Sequence, residues 1–144
     1  MRKIIFKTMV VLVCSTAVAN AQTISSAKVP QAVKSSFAKT HPKISKVQWE
    51  LEKGEYEAGF TMNGQELSEL YSKSGVLIES ETEVKVAYLP SGILPYIKNH
   101  YKGAAVKEAA KITKSNGEVN YEAAIKGKDL IFDSKGNFIK AKKD

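Results

Sequence analysis

The hydrophobic positions in the first half of the chain follow a helical period and then a strand period. Val29, Val33 and Phe37 recur every four residues, so they would form one apolar stripe along a helix. Pro42 ends this pattern, because the residue before a proline is pushed out of helical geometry. From residue 47 to 52 apolar and polar side chains alternate, which is typical of a half-buried strand. The pattern therefore predicts a helix followed by a sheet.

Glycine turns divide the rest of the first half into three more strands. Residues 55–62 alternate again and lead into Asn63-Gly64, which favours a tight hairpin because both residues tolerate positive φ. Residues 65–72 alternate less regularly, and this indicates a bulge or an edge position. After the turn at 74–75, residues 77–86 form a long alternating segment. The first half therefore predicts one helix and four antiparallel strands.

The second half of the chain repeats this order of segments. Three pairs match: 29–30 with 89–90, 56–58 with 121–123, and 72–75 with 133–136. Each half alone is near the lower size limit for a stable core, so we expect the two to fold as one domain. The prediction is an α+β domain at 29–144, a tandem repeat (29–88 and 89–144) of a helix plus four antiparallel strands. The helices should pack on one face of the sheet.

The first 21 residues have the pattern of an export signal. A basic start and an apolar run from 8 to 19 precede Ala19-Asn20-Ala21, which has small residues where signal peptidase reads them. The run is shorter than the ~20 residues that a membrane-spanning helix needs, so we expect no stable membrane insertion. A lipid anchor on Cys14 is the alternative, and the bulky Val13 before it argues against one. We predict cleavage before Gln22, a periplasmic or secreted product, and a flexible leader at 22–28.

Composition narrows the classes of partner. The chain has 22 Lys and Arg against 15 Asp and Glu, and three of the cations belong to the predicted signal, which leaves 19 − 15 = +4. Apart from Lys140, Lys142 and Lys143 the cations are scattered, so we expect no nucleic-acid partner. Cys14 is the only cysteine and is lost with the signal. The exported protein therefore has no disulfide, thiol nucleophile or cysteine metal ligand.

The sequence also offers little material for catalysis. His41 and His100 are the only histidines, and we place both at equivalent helix ends. There an imidazolium is favoured by the negative end of the helix dipole, which we prefer to a role as general base or metal ligand. No Gly-x-Ser-x-Gly, His-Glu-x-x-His or glycine-rich phosphate loop occurs. We predict that the protein is not an enzyme and has no cofactor and no metal.

The one dense acidic stripe is Glu79, Glu81 and Glu83, which project from one face of a predicted strand. Neighbouring carboxylates on that face lie about 6.6–7 Å apart, from the rise of a strand, and do not converge on a cation unaided. We take the three as a candidate surface for a basic partner. A simple solvated face is the alternative.

Both halves share an x-Pro-x-x-[Val/Ile] helix, a Tyr-Glu-Ala strand and a [Tyr/Phe]-x-x-x-Gly hairpin. Over 29–141 this resembles the PepSY-like periplasmic proteins, which are grouped by fold with the secreted β-lactamase-inhibitor protein. The resemblance implies a curved sheet that can hold another protein, and a role in restraining a peptidase. It assigns no binding residues. We therefore expect a non-enzymatic domain that binds an unknown protein or peptide through its open sheet face, inhibitory or regulatory in effect. The alternative is a periplasmic sensor of a small ligand or cation.

Overall fold

Nine antiparallel strands form one sheet, and each strand pairs with its neighbours in chain order. The computed structural model describes residues 21–143, so the predicted signal, apart from Ala21, lies outside the described residues. The strands are β1 (Gln22–Ile24), β2 (Gln48–Glu52), β3 (Glu55–Met62), β4 (Gln65–Tyr71), β5 (Leu77–Val84), β6 (Glu108–Lys114), β7 (Val119–Ile125), β8 (Lys128–Asp133) and β9 (Phe138–Lys143). The helices are α1 (Gln31–Thr40) and α2 (Ile93–His100). The α+β class is as predicted.

The start of the fold differs from the flexible leader that we expected at 22–28. Gln22–Ile24 pairs with β2 as an antiparallel edge strand, and Ser26–Lys28 forms one turn of 3-10 helix. A segment of three residues is too short to show an alternation of apolar and polar side chains, so the sequence does not predict this strand. Ile24 packs against the apolar cluster under α1, and this contact helps to hold the segment in place.

The start of α2 also clarifies the role of Pro95. Within the apolar pattern that starts at Leu89, this proline predicts either a kink or a helix that begins near Leu94. The helix begins at Ile93, so Pro95 falls within its first turn, where the missing N–H would have no helical partner anyway. The second alternative is therefore the one that the structure shows.

Each helix buries two side chains four residues apart. In α1 these are Val33 and Phe37, which pack on β2, β3 and β4 around Trp49. In α2 they are Ile93 and Ile97, which pack on the β6–β8 side of the sheet. The two apolar clusters are separate, yet both lie on one face of the sheet. Paired residues of antiparallel strands point to the same side, and the pairing is unbroken from β2 to β8.

The helix-free face is concave. In a flat sheet β2 and β9 would lie about 33 Å apart, since they are seven strands apart at ~4.8 Å each. Glu52 of β2 and Lys142 of β9 nevertheless line the same cavity of about 120 Å³. Ala110, Ile112 and Ile131 point to this face and are buried although no helix covers it. The sheet therefore curls toward its helix-free side.

The β4–β5 turn rests directly on α1. Gly75 has a φ of +83°, a left-handed conformation that L side chains rarely adopt. A Cβ placed there would lie 2.5 Å from the backbone oxygen of Ala32. Gly117, in the β6–β7 turn, has nearly the same φ of +85° but no atom within 4 Å of the added carbon. Replacing Gly117 therefore costs only the strained backbone conformation, whereas replacing Gly75 costs the same strain and a steric clash with α1.

We expect Gly75→Ala to destabilise the domain more than Gly117→Ala does. The left-handed conformation costs an alanine about 1–2 kcal/mol at either position. The contact with α1 adds about 1–3 kcal/mol at Gly75 alone, as overpacking does. Urea unfolding of both variants measures this difference in free energy. Equal losses at the two positions would show that the turn does not press on the helix.

Candidate functional site

The acidic strand lies at the centre of the concave face. β5 is the fifth of nine strands, and Glu79, Glu81 and Glu83 all point away from the helices. Glu79 and Glu81 are half-buried, whereas Glu83 is exposed. The structure therefore divides the predicted stripe, with two residues in the floor of the concave face and one in solvent.

Curling of the sheet brings Glu79 and Glu81 together with side chains from distant strands. The resulting cavity of about 120 Å³ is lined by Glu52, Glu57, Ser68, Leu70, Glu79, Glu81 and Lys142. Four carboxyl groups thus face one ammonium group. Glu52 lies at the rim, where the Nζ of Lys53 is 3.1 Å from its carboxylate. We call this space the carboxylate cavity, and Glu83 is not part of its lining.

Burial changes the protonation of this cavity. Loss of hydration, followed by the carboxylates of Glu122 and Glu57, raises the pKa of Glu81 to about 8, although Lys142 acts in the opposite direction. Burial also raises the pKa of Glu57, although a hydrogen bond with Ser68 partly offsets this. Glu81 therefore holds a proton at neutral pH, because its negative form lacks both water and sufficient positive charge.

The arrangement does not resemble a metal centre. Within residues 21–143 no group of three or more His, Cys, Asp or Glu side chains is placed to hold a metal ion. Calcium needs several oxygens that converge on one point, and these carboxyl groups come from separate strands of a curved surface. The carboxylate cavity therefore offers a set of acceptors for hydrogen-bond donors and organic cations.

A larger depression, of about 660 Å³, opens between the α1–β2 loop and β3. Lys43, Ile44, Lys46 and Phe60 are among its lining residues. Its lining contains no carboxylate and no imidazole, so it has no acid–base pair. Since it lies beside an exposed loop, we give it less weight than the carboxylate cavity.

The helix side of the sheet contains a buried polar network that the sequence patterns did not reveal. The Nε2 of His41 is 2.8 Å from the Oε1 of Glu69, whose side chain is 8% exposed. The hydroxyl of Tyr71 donates a hydrogen bond to the other carboxylate oxygen of Glu69. Burial, together with the Glu69 carboxylate, raises the pKa of Tyr71. The rings of Phe37 and Phe60 lie 5.0 and 4.7 Å from the His41 ring, centroid to centroid.

The two histidines are not equivalent, which corrects our reading of the sequence. His41 follows α1 directly, and its N–H bonds the carbonyl of Phe37; Tyr101 takes that position after α2, with its N–H on Ile97. His100 lies one residue earlier, is exposed and stacks on Tyr96 with ring centroids 4.0 Å apart. His100 is therefore an exposed side chain at a helix end, whereas His41 is the hydrogen-bond partner of a buried carboxyl group.

The network is confined to the first half of the chain. Glu69 pairs with Ala58, and the corresponding residue beside Ala123 in the second half is Leu130. Likewise Tyr71 pairs with Tyr56, and Phe132 pairs with Tyr121. The signal available in the sequence was Glu69 itself, a carboxylate on the apolar side of β4 between Leu67 and Tyr71.

Comparison with known proteins places this fold. Residues 16–79 and 55–140 each match the family model described as "Putative beta-lactamase-inhibitor-like, PepSY-like". No curated protein matches the chain. Within the described residues, no helix is long and apolar enough to cross a membrane.

Solved structures from Bacteroides species are similar to it. A DUF2874 family protein from Bacteroides uniformis is 17% identical, with 79% of this chain and 88% of that chain aligned and a TM-score of 0.68. A BLIP-like protein from Bacteroides fragilis is 21% identical over 79% and 86%, with a TM-score of 0.61. A structure from Bacteroides eggerthii described as "putative periplasmic proteins" is 15% identical over 80% and 88%, with a TM-score of 0.66. Identities this low establish a shared fold and transfer no functional residue.

Proposed function

This chain belongs to the PepSY-like, β-lactamase-inhibitor-like family, and we propose that it is an exported, non-enzymatic domain that holds a protein or peptide on its concave sheet face. The observation that carries the proposal is that this face is broad and concave and has no helix over it. The bound partner is inhibited or regulated by being held. The inhibitor-like description of the family supports this role.

The shape of the face suits a peptide segment or a projecting part of a protein. Eight residues of β5 extend about 26 Å, whereas the curl of the sheet makes the face narrower than the ~38 Å that nine flat strands would span. The face therefore surrounds a segment rather than matching a flat surface. A strand-based surface of this kind is rigid enough to bind without a large ordering cost.

The charge of the face favours a basic partner. Carboxylates from β2 to β8 point to it, namely Glu50, Glu52, Glu55, Glu57, Glu66, Glu79, Glu81, Glu83, Glu108, Glu122 and Asp129. The ammonium groups that oppose them come from Lys114 on β6 and from β9 at the edge. A surface of mainly one sign accelerates the encounter with an oppositely charged protein. Among these residues Glu79, Glu81 and Glu83 remain our first candidates for partner contact.

Two further inferences concern location and organisation. The predicted signal at 1–21 and the periplasmic descriptions of the similar structures support export to the periplasm or beyond. The order helix then four strands occurs twice after β1, which supports two copies of one unit joined in a single domain. Six residue pairs between β5 and β6 connect the halves within one sheet. Separating the two halves would expose the unpaired backbone edges of β5 and β6.

The test of the proposed function compares two surfaces of the same protein. A partner is captured from periplasmic extract on the immobilised chain, and its affinity is then measured with purified components. We expect Glu79/Glu81/Glu83→Ala to weaken binding by about tenfold or more, mainly through slower association at low salt. The matched change on the helix side is Lys98/His100→Ala, both exposed on α2, and it should leave the affinity unchanged. The opposite pattern would place the partner on the helices and refute the proposal.

A further inference from the structure

We propose that the carboxylate cavity is the specificity pocket of the concave face, and that it receives the end of one lysine or arginine side chain of the bound partner. This inference rests on the proposed function, because it assumes that a partner covers the face. It adds the type of partner side chain that is bound. It also distinguishes the residues that line the cavity, Glu57, Glu79 and Glu81, from Glu83, which lies beside it.

The volume limits what can enter. A space of about 120 Å³ corresponds to about four water molecules at ~30 Å³ each. That is enough for an ammonium or guanidinium group with part of its stem, and too little for a segment of peptide backbone. The cavity therefore selects a single side chain from a larger docked surface.

The charge determines which side chain. Four carboxyl groups line the cavity, and the chain itself already places one ammonium group, that of Lys142, at its wall. The position of Lys142 is an independent indication that a cation is favoured here. Lys53 pairs with Glu52 at the rim, so Lys142 alone faces the carboxyl groups of Glu57, Glu79 and Glu81. Buried carboxylates without a counter-charge are costly. A second cation from the partner would supply the missing charge and donate hydrogen bonds to acceptors that are already fixed in place.

Entry of a cation should be linked to release of a proton. The charged and titratable groups on the same face as Glu81 are Glu50 and Glu52 from β2, Glu55 and Glu57 from β3, Glu66 from β4, Glu79 and Glu83 from β5, Glu108 and Lys114 from β6, Glu122 from β7, Asp129 from β8, and Lys140 and Lys142 from β9. β4 contributes only Ser68 and Leu70 to this side of the cavity. Because carboxylates outnumber ammonium groups, the pKa of Glu81 is raised to about 8. A cation binds the ionised form, so its affinity should rise by about tenfold from about pH 7 to about pH 9.

The experiment uses a minimal probe in place of the unknown partner. The probe is acetyl-Gly-Gly-Arg-Gly-Gly-amide, and its uncharged control has citrulline in place of arginine. Amide chemical shifts of the chain from Gln22 onward are followed during titration. For so few atoms we expect a dissociation constant on the order of 1 mM, with the shifts centred on β3, β4 and β5. The citrulline peptide should bind at least about tenfold more weakly, since the buried carboxylates then remain without a counter-charge.

Two variants identify the cavity as the binding site. Glu81→Gln should weaken binding of the arginine peptide by about tenfold at about pH 9 and remove its rise with pH. Glu108→Gln, an exposed carboxylate of β6 outside the cavity and outside the proposed partner contacts, should leave both unchanged. Because each substitution removes a charge and keeps the size of the side chain, we expect the variants to fold. The amide spectrum of each variant checks that it is folded.

The outcomes distinguish this inference from the proposed function. Saturable binding on the concave face that is the same in Glu81→Gln and the unmodified protein would overturn the pocket and leave the docking face intact. The absence of any saturable shift on that face would also overturn the pocket. A captured partner that contacts only α1 and α2 would instead refute the proposed function.

Discussion

His41→Ala will lower the free energy of unfolding by about 3–5 kcal/mol, because it removes a hydrogen-bond partner of the buried Glu69 and the packing of the imidazole against Phe37 and Phe60. Glu69 is 6% exposed as a whole residue, and among the described residues its side-chain hydrogen bonds are those with His41 and Tyr71. Without the imidazole, its buried carboxyl group keeps only the hydroxyl of Tyr71. His100→Ala is the matched control, since that imidazole is exposed and makes only local contacts within α2. We expect the control to change stability by less than about 1 kcal/mol.

The second half of the chain supplies the compensating substitutions. There Tyr101, Leu130 and Phe132 occupy the positions of His41, Glu69 and Tyr71. Replacing both partners of a buried polar contact by packed apolar side chains is often nearly neutral. We therefore expect the triple variant His41→Tyr, Glu69→Leu, Tyr71→Phe to recover most of the loss, to within about 1–2 kcal/mol of the unmodified protein.

The fluorescence of Trp49 reports these changes, because it is the only tryptophan and lies in the cluster beneath α1, where its ring is 5.7 Å from that of Phe37. Urea unfolding followed by this signal gives the free energy of each variant. A single variant His41→Ala as stable as the unmodified protein would show that the carboxylate of Glu69 does not depend on the imidazole.

Local patterns predicted the elements whose signals are local. The alternation of Ala58 and Phe60 with polar residues correctly gave β3, and the four-residue spacing of Val33 and Phe37 gave the buried face of α1. Glycine turns correctly separated the strands. The resemblance of both halves to the PepSY-like family is confirmed by the family match. In each case a few neighbouring residues contain the information.

The parts that escaped prediction depend on contacts between distant residues. His41 and Glu69 are 28 positions apart, and nothing near either one indicates the other. The short strand β1 has a partner only because β2 offers it an edge. The carboxylate cavity requires Lys142 of β9 to approach Glu81 of β5, and this follows from the curl of the whole sheet. A period of two places Glu81 on the correct face but says nothing about the depth of its burial.

Burial of Glu81 leads to an unusual dependence of stability on pH. Its pKa is about 8 in the folded protein, against an ordinary value of 4.5 that applies to the unfolded chain. Between these two values the folded state holds a proton that the unfolded state has lost. The folded state is therefore favoured at the acidic end of this window, and this contribution falls as the pH rises from about 4.5 to about 8. Above about pH 8 the residue is charged in both states and the full cost of burying the carboxylate remains.

Glu81→Gln should abolish that decline and so become more stable than the unmodified protein at high pH. A shift of one pKa unit corresponds to about 1.4 kcal/mol, so the difference should reach roughly 3–5 kcal/mol above about pH 8 and vanish near pH 4.5. The experiment compares the variant with the unmodified protein at each pH, so that titrating groups distant from Glu81 contribute equally to both. Glu83→Gln, whose side chain is exposed on the same strand, should show a difference that does not grow with pH. A constant difference for Glu81→Gln would mean that the carboxyl group is hydrated. A stability difference that grows with pH would mean that the buried carboxyl group of Glu81 destabilises the folded protein. Such a cost is expected where a residue is retained for binding at the expense of stability.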